Sequence, residues 1–255
     1  MNWLKLKGGL HIVIVCVVLF AAIGFSEKRS NVHNINELYV DVNGPSEEVN
    51  YVDMDTVVGM LNSQLNGDIF LNGLVDANLK DLEEVIRRNE YISDAQIFVD
   101  LKNNVTVKVS QHEMYARIFA EGNRDHYITK ERTVVRHSSS YTPRVLILEF
   151  EDKKLKINKQ LLNGNVHGQK LFELLEYVHA HEFWKKQVAH IVVKKNWEIE
   201  FYGQVSRQKI EFGPLTDFEE KFKKVMILYK KVLPRKGWNT YNRVSVKFKN
   251  QIVCE

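Results

Sequence analysis

The chain has 255 residues, 27% of them charged and 44% hydrophobic, with a formal net charge of +4. That mild basicity comes without any lysine or arginine cluster interleaved with stacking aromatics, so a nucleic-acid-binding face is excluded. The two cysteines, Cys16 and Cys254, lie in an apolar run and at the penultimate position; they are not placed to pair, which excludes a disulfide-stapled secreted module.

Residues 1–9 form a short tail with Lys5 and Lys7, and Leu10 to Phe25 is an uncharged run, LHIVIVCVVLFAAIGF. With Gly8 and Gly9 in front, it approaches the roughly 17–25 residues that a spanning helix needs. Leu10, Ile14, Val18 and Phe25 are its membrane-facing candidates. Gly24-Phe25-Ser26 makes a poor cleavage site, so the run is read as an uncleaved anchor rather than a signal peptide. The two lysines favour a cytoplasmic N-terminus. Ser26 to Asn36 is polar and lacks an apolar period, which predicts a linker.

From Leu38 to Asn43 the pattern is that of a short strand, closed by Gly44-Pro45. Asp53 can cap a helix carrying Met54, Val57, Val58, Leu61 and Leu65 on one face, and Asn78 can cap a second with Leu79, Leu82, Val85 and Ile86 inward. Alternation at Ala95, Ile97, Val99 and Leu101, then at Val105, Val107 and Val109, predicts two strands joined through Lys102-Asn103-Asn104. Strand, helix, helix, strand, strand is a small α+β unit, its sheet covered on one face by two helices. It spans residues 37–112.

Residues 113–255 read as a larger mixed β domain. Strands are expected over Tyr115 to Ala120, His126 to Thr129 and Val145 to Leu148, then a helix from Gln169 to Glu182 with Leu171, Leu174, Leu175 and Val178 inward. Further strands follow at His190 to Lys194, Trp197 to Tyr202 and Lys209 to Phe212. Thr216 and Glu219 stand at capping-box spacing before a helix striped by Phe218, Phe222, Val225, Tyr229 and Val232, and Pro234 to Gly237 should break it. A last strand is predicted from Arg243 to Cys254. Val244, Val246, Phe248 and Ile252 face one way along it, Ser245, Lys247, Lys249 and Gln251 the other.

Nine histidines invite a metal or catalytic reading. His179 and His181 point to different faces of a helix, and His181-Glu182 lacks the second histidine of H-E-x-x-H. Ser138 to Ser140 sits in no nucleophile elbow, and Gly59, Gly67 and Gly73 fit neither a Walker nor a Rossmann loop. No cofactor, metal, small-molecule substrate or enzymatic activity is therefore expected. The terminal strand is the feature that points to function. At a sheet edge its unpaired main-chain groups would accept a partner strand; in the interior, or blunted by Lys247 and Lys249, it would not. The alternation fits either placement.

Three stretches resemble a known family: Val42-Asn43-Gly44 ending the first strand, Asn89 to Ala95, similar to N-P-x-V-x-x-A, and Val105 to Gln111, similar to V-x-V-x-E/Q. With the order of tail, anchor, small α+β unit and larger β domain, they resemble the bacterial divisome family FtsQ/DivIB. The segment Phe222 to Cys254, with K-V-L-P-x-x-G-W and N-Q-I-V-C, is similar to Bacteroidota-type members. The chain departs from the pattern at Glu90 and Met114, where proline is usual, and at Thr129 to Arg132, where a D-x-x-G turn is usual. The resemblance implies a POTRA domain at 37–112 and a non-enzymatic inner-membrane scaffold of the division septum. It also implies a periplasmic C-terminal domain and other septal membrane proteins as partners. By position it implies that FtsB and FtsL-type bitopic proteins bind the last strand, with Val244, Val246, Lys247, Phe248, Lys249, Gln251 and Val253 as contacts. An envelope assembly or secretion component with a POTRA unit is the alternative, although the chain shows neither POTRA repeats nor a barrel pattern. A third reading, an anchored periplasmic enzyme, would need acid, base and nucleophile to converge in one pocket.

Overall fold

The computed structural model describes residues 35–44, 51–69, 78–119, 125–137 and 142–255, with Val17 and Leu74. The predicted anchor therefore lies, except for Val17, outside the described residues, and among these no helix is long and apolar enough to cross a membrane. Ser138 to Ser140 also lies outside them. Of the predicted linker, Ile35 and Asn36 are described: Ile35 packs on the first core, and the Asn36 amide group donates to Lys102 O at 2.5 Å.

The first sheet has three strands in the order β1-β3-β2: β1 (Leu38–Asn43), β2 (Ile92–Val99) and β3 (Val105–Gln111). β1 runs parallel to β3 and β2 antiparallel to it. Two helices cover one face, α1 (Met54–Leu65) and α2 (Leu79–Arg87). Each starts where a side chain satisfies an orphan N–H: Asp53 accepts from Thr56 N at 2.9 Å, and Asn78 from Lys80 N at 3.1 Å. Val57, Leu61, Leu82 and Ile86 close onto Val105, Val107 and Val109 of the central strand. Leu101, expected to end a strand, instead sits fully exposed in the turn. There the Asp100 carboxylate gathers the Lys102 and Asn104 amides, and Asn103 takes a left-handed conformation.

The second sheet has nine strands in the order β12-β11-β10-β9-β8-β7-β4-β5-β6. Its strands are β4 (Met114–Phe119), β5 (His126–Thr129), β6 (Val134–Arg136), β7 (Leu146–Phe150), β8 (Val188–Val193), β9 (Ile199–Gly203), β10 (Lys209–Gly213), β11 (Arg243–Ser245) and β12 (Val253–Cys254). The helices are α3 (Val166–Ala180), α4 (Glu182–Gln187), α5 (Phe218–Ile227) and α6 (Leu233–Lys236), with a π-helical turn at Leu228–Val232. Leu171, Leu174, Leu175 and Val178 of α3 and Phe222 and Val225 of α5 pack with Leu148, Ile191, Phe201 and Phe212 into the larger core. α3 lies close because Gly168 lacks a side chain: a Cβ there would stand 2.0 Å from Leu161 O.

Three predictions around α5 are corrected. Thr216 and Glu219 form no capping box; Asp217 precedes the helix in a left-handed conformation with no side-chain cap. Pro234 does not break the helix, because the π turn before it widens the ladder and Pro234 enters the first turn of α6. The break falls at Gly237, φ 104°. The long terminal strand is a hairpin: the chain leaves the sheet after Ser245, turns through Asn250 (φ 57°) and returns as β12, with Val244 opposite Cys254 and Ser245 opposite Val253. A positive φ at Asn250 reverses the chain, which twelve extended residues cannot do.

The two units meet along a seam. Met114, Tyr127 and Val135 of the second sheet are buried in the first core. The Tyr91 hydroxyl donates to Arg136 O at 3.1 Å, and Glu90 accepts from both Arg136 N and its guanidinium.

Candidate partner-binding edge

β10 is the internal neighbour that shapes the end of the large sheet. β11 runs parallel to it, Ile210 beside Val244, and the Val246 amide adds a bond to Glu211 O at 3.0 Å. Lys247 then passes so close to Gly213 (φ 77°) that a Cβ there would lie 2.9 Å from the lysine Cβ. A left-handed backbone and a missing side chain are both required at this position.

α5 meets this end of the sheet with two buried lysines, one on the turn after β10 and one on the loop between β11 and β12. Lys221, 3% exposed, donates to Pro214 O and lies over the Phe212 ring. Lys224, 8% exposed, donates to Phe248 O at 2.7 Å and stands 3.6 Å from Glu220. Burial pushes the Lys221 ammonium below its ordinary range. Satisfying a carbonyl is what makes each buried cation tolerable.

On the outer face of the sheet the charges form a ladder. Arg243 grips Glu211 with two bonds, 2.6 and 3.0 Å, and reaches Glu255 at 2.8 Å. Hydrogen bonding by Arg243 holds the Glu211 carboxyl below the usual carboxylate range, and Lys247 and Lys209 reinforce it. Lys209 bridges Glu211 to Glu200, and Lys194 bridges Glu200 to Glu151.

Among the described residues no strand pairs with the outer side of β12. Glu255 exchanges both main-chain bonds with Arg243, and antiparallel alternation therefore turns the Cys254 N–H and C=O outward. Cys254 and Ile252 pack partly against the larger core, so the helix side of this edge is apolar. Of the residues predicted to contact a partner, Val244 and Val246 are fully buried in the core and offer no side chain to one. Lys247 is half-buried and 3.8 Å from both Glu198 and Glu211. Phe248 is 50% exposed, Val253 lies on the edge strand itself, and Lys249 and Gln251 are exposed in the connecting loop. Sequence reasoning missed Arg243, Glu211 and Glu255, whose charges alternate across strands far apart in the chain. It also missed Lys221 and Lys224, whose burial follows from the packing of α5 on the sheet.

His179 Nε2 lies 2.8 Å from Tyr115 O and His181 Nδ1 2.8 Å from Tyr177 O. A groove on the outer face brings His190 within 3.3 Å of Glu149, and among the described residues no serine, threonine or cysteine lines it. Among the described residues no group of three or more histidine, cysteine, aspartate or glutamate side chains is placed to hold a metal.

No curated protein matches the chain. A family model described as FtsQ/DivIB, C-terminal related, matches residues 113–255, the stretch that builds the nine-stranded sheet and its open edge. The chain therefore belongs to the FtsQ/DivIB C-terminal related family, an affiliation that points to a role in cell division.

Proposed function

We propose that the chain is a non-enzymatic scaffold of the bacterial divisome, held in the inner membrane by residues 10–25, that captures a strand from an FtsB-type partner at the outer edge of β12. In this reading residues 37–112 are a POTRA domain that contacts other septal membrane proteins. Residues 113–255 are a periplasmic domain that binds FtsB and FtsL-type proteins. The observation that carries the reading is the pair of outward main-chain groups on Cys254, beside the half-buried Ile252 and the exposed Phe248. Main-chain pairing would supply affinity, and the side chains flanking the edge would set specificity.

The test uses the full chain in bilayer nanodiscs and the periplasmic segments of FtsB and FtsL-type proteins. Cys254→Pro removes an outward N–H while leaving the internal ladder intact, so it should abolish binding in a folded protein. Absence of binding by the native chain would overturn the proposal.

A further inference from the structure

The ladder also bears on which strand the edge accepts. This step rests on the strand-capture reading above. Lys194, Lys209, Arg243 and Lys247 face Glu151, Glu198, Glu200, Glu211 and Glu255, four cations against five carboxylates. Along the stripe the signs alternate: Glu151, Lys194, Glu200, Lys209, Glu211, Arg243, Glu255. The outermost member is an anion on the strand at the open edge. Its side chain is exposed, and its ionic partner among the described residues, Arg243, is shared with Glu211. On the opposite face, Cys254 and Ile252 extend the larger core to the same edge.

We infer that the strand captured at β12 carries a lysine or arginine beside Glu255 and apolar residues on its opposite face. A cation there continues the alternation and neutralises the unbalanced carboxylate, whereas an acidic residue would stand against Glu255 across the new strand pair. Opposite charges placed across strands are favourable and like charges unfavourable, and the preference weakens with salt because the stripe faces solvent. The same edge rejects an all-polar strand, since its helix side would leave Ile252 and Cys254 uncovered.

The experiment selects binders to the full chain from a displayed library of strand-length peptides. Alternate positions are fixed as valine and the others drawn from lysine, glutamate and glutamine. Recovered binders are required to lose binding to Cys254→Pro, which restricts the readout to the edge. Against the native chain, lysine should be favoured at one intervening position by about two- to five-fold. Against Glu255→Lys that position should turn to glutamate, and against Glu255→Gln the preference should vanish without reversing. Glu255→Gln keeps the main-chain bonds to Arg243 and guards against misfolding of the charge-reversed chain. Edge-dependent binders with no charge preference, or with the same preference against all three chains, would overturn this inference and leave strand capture standing. Failure of any chain to enrich an edge-dependent peptide would overturn strand capture itself, and this inference with it.

Discussion

The nine-stranded sheet ends differently at its two sides. At β6 the outward groups of Arg136 are taken up, its N–H by Glu90 and its C=O by the Tyr91 hydroxyl, and Tyr127 and Val135 sink into the neighbouring core. At β12 no strand among the described residues pairs with the outward groups of Cys254. A similar seal closes β2 of the small sheet, where Arg87 donates to Ala95 O at 2.7 Å and Glu83 accepts from Ile97 N at 2.9 Å. An unpaired strand edge invites association, and proteins ordinarily cover or charge it. Two edges are thus sealed with dedicated side chains, whereas that of β12, with its apolar flank, carries no such seal among the described residues. In the proposed reading the sealed end is structural and the β12 end is the binding surface; substitutions should separate the two.

The largest effect should come at the sealed end. Tyr127 is fully buried where the cores meet, so Tyr127→Ala should lower the unfolding free energy by about 3–5 kcal/mol, read from urea midpoints. Next come two prolines at the other end. Val246→Pro deletes the bond to Glu211 O and disturbs a buried residue, at a cost of about 3 kcal/mol. Cys254→Pro deletes a donor that no strand of the chain uses and should cost less than about 1 kcal/mol, yet remove strand capture. Equal costs for the two prolines would break the distinction between inner and outer groups. Lys224→Met should fall between the two prolines in stability. It leaves Phe248 O without its buried donor, for about 1–3 kcal/mol, and should weaken partner binding by loosening the loop that displays Phe248.

How much of this could be read in the sequence depends on range. Asp53 and Asn78 were legible as caps because the groups they satisfy are two or three residues away, and the α3 stripe because its period is local. The hairpin at the end was not legible. Val244, Val246, Phe248 and Ile252 alternate as a strand would. What bends the chain is a single left-handed Asn250, and what fixes β11 is a parallel pairing with β10 across more than thirty residues. The alternation left edge and interior placement of that segment open; in the fold Val246 N–H is tied inward to Glu211 O, and the strand that ends the sheet is β12, with the outward groups on Cys254. The seam was illegible for the same reason. Glu90, Met114 and Thr129 to Arg132, which looked like isolated departures from the family pattern, converge there. Glu90 binds Arg136, Met114 is buried in the first core, and Glu131 meets His112 at 2.7 Å.

Acid should act on the two ends in sequence, which gives the subtlest test of their difference. On the side of the sheet toward the seam, His179 stacks on Tyr115 and has Nε2 2.8 Å from Tyr115 O. Bonding to a carbonyl places the proton on Nε2, so Nδ1, buried and without a partner, would have to take up any second proton. Burial accordingly holds the imidazole below its ordinary value of 6.5, with Lys185 adding to the effect and the Tyr115 carbonyl and Glu113 opposing it. The unfolded chain then takes up this proton first, so stability present above pH 6.5 is lost as the pH falls through 6.5 toward the folded value. At the β12 end the sign of the charge differs but the direction of loss is the same. Glu211 is held below its ordinary 4.5 by Arg243, so its contribution persists above 4.5 and disappears only as the pH falls through a still lower folded value. Urea midpoints measured from neutral to acid pH should decline first below 6.5, and His179→Gln should remove that first decline while leaving the later one. Glu211→Gln should shrink the later one and leave the first untouched, the remainder belonging to other carboxylates held low, Glu131 at the seam among them. A single decline shared by both variants would mean that the sealed and open ends unfold as one electrostatic unit, and the separation drawn between them would fail.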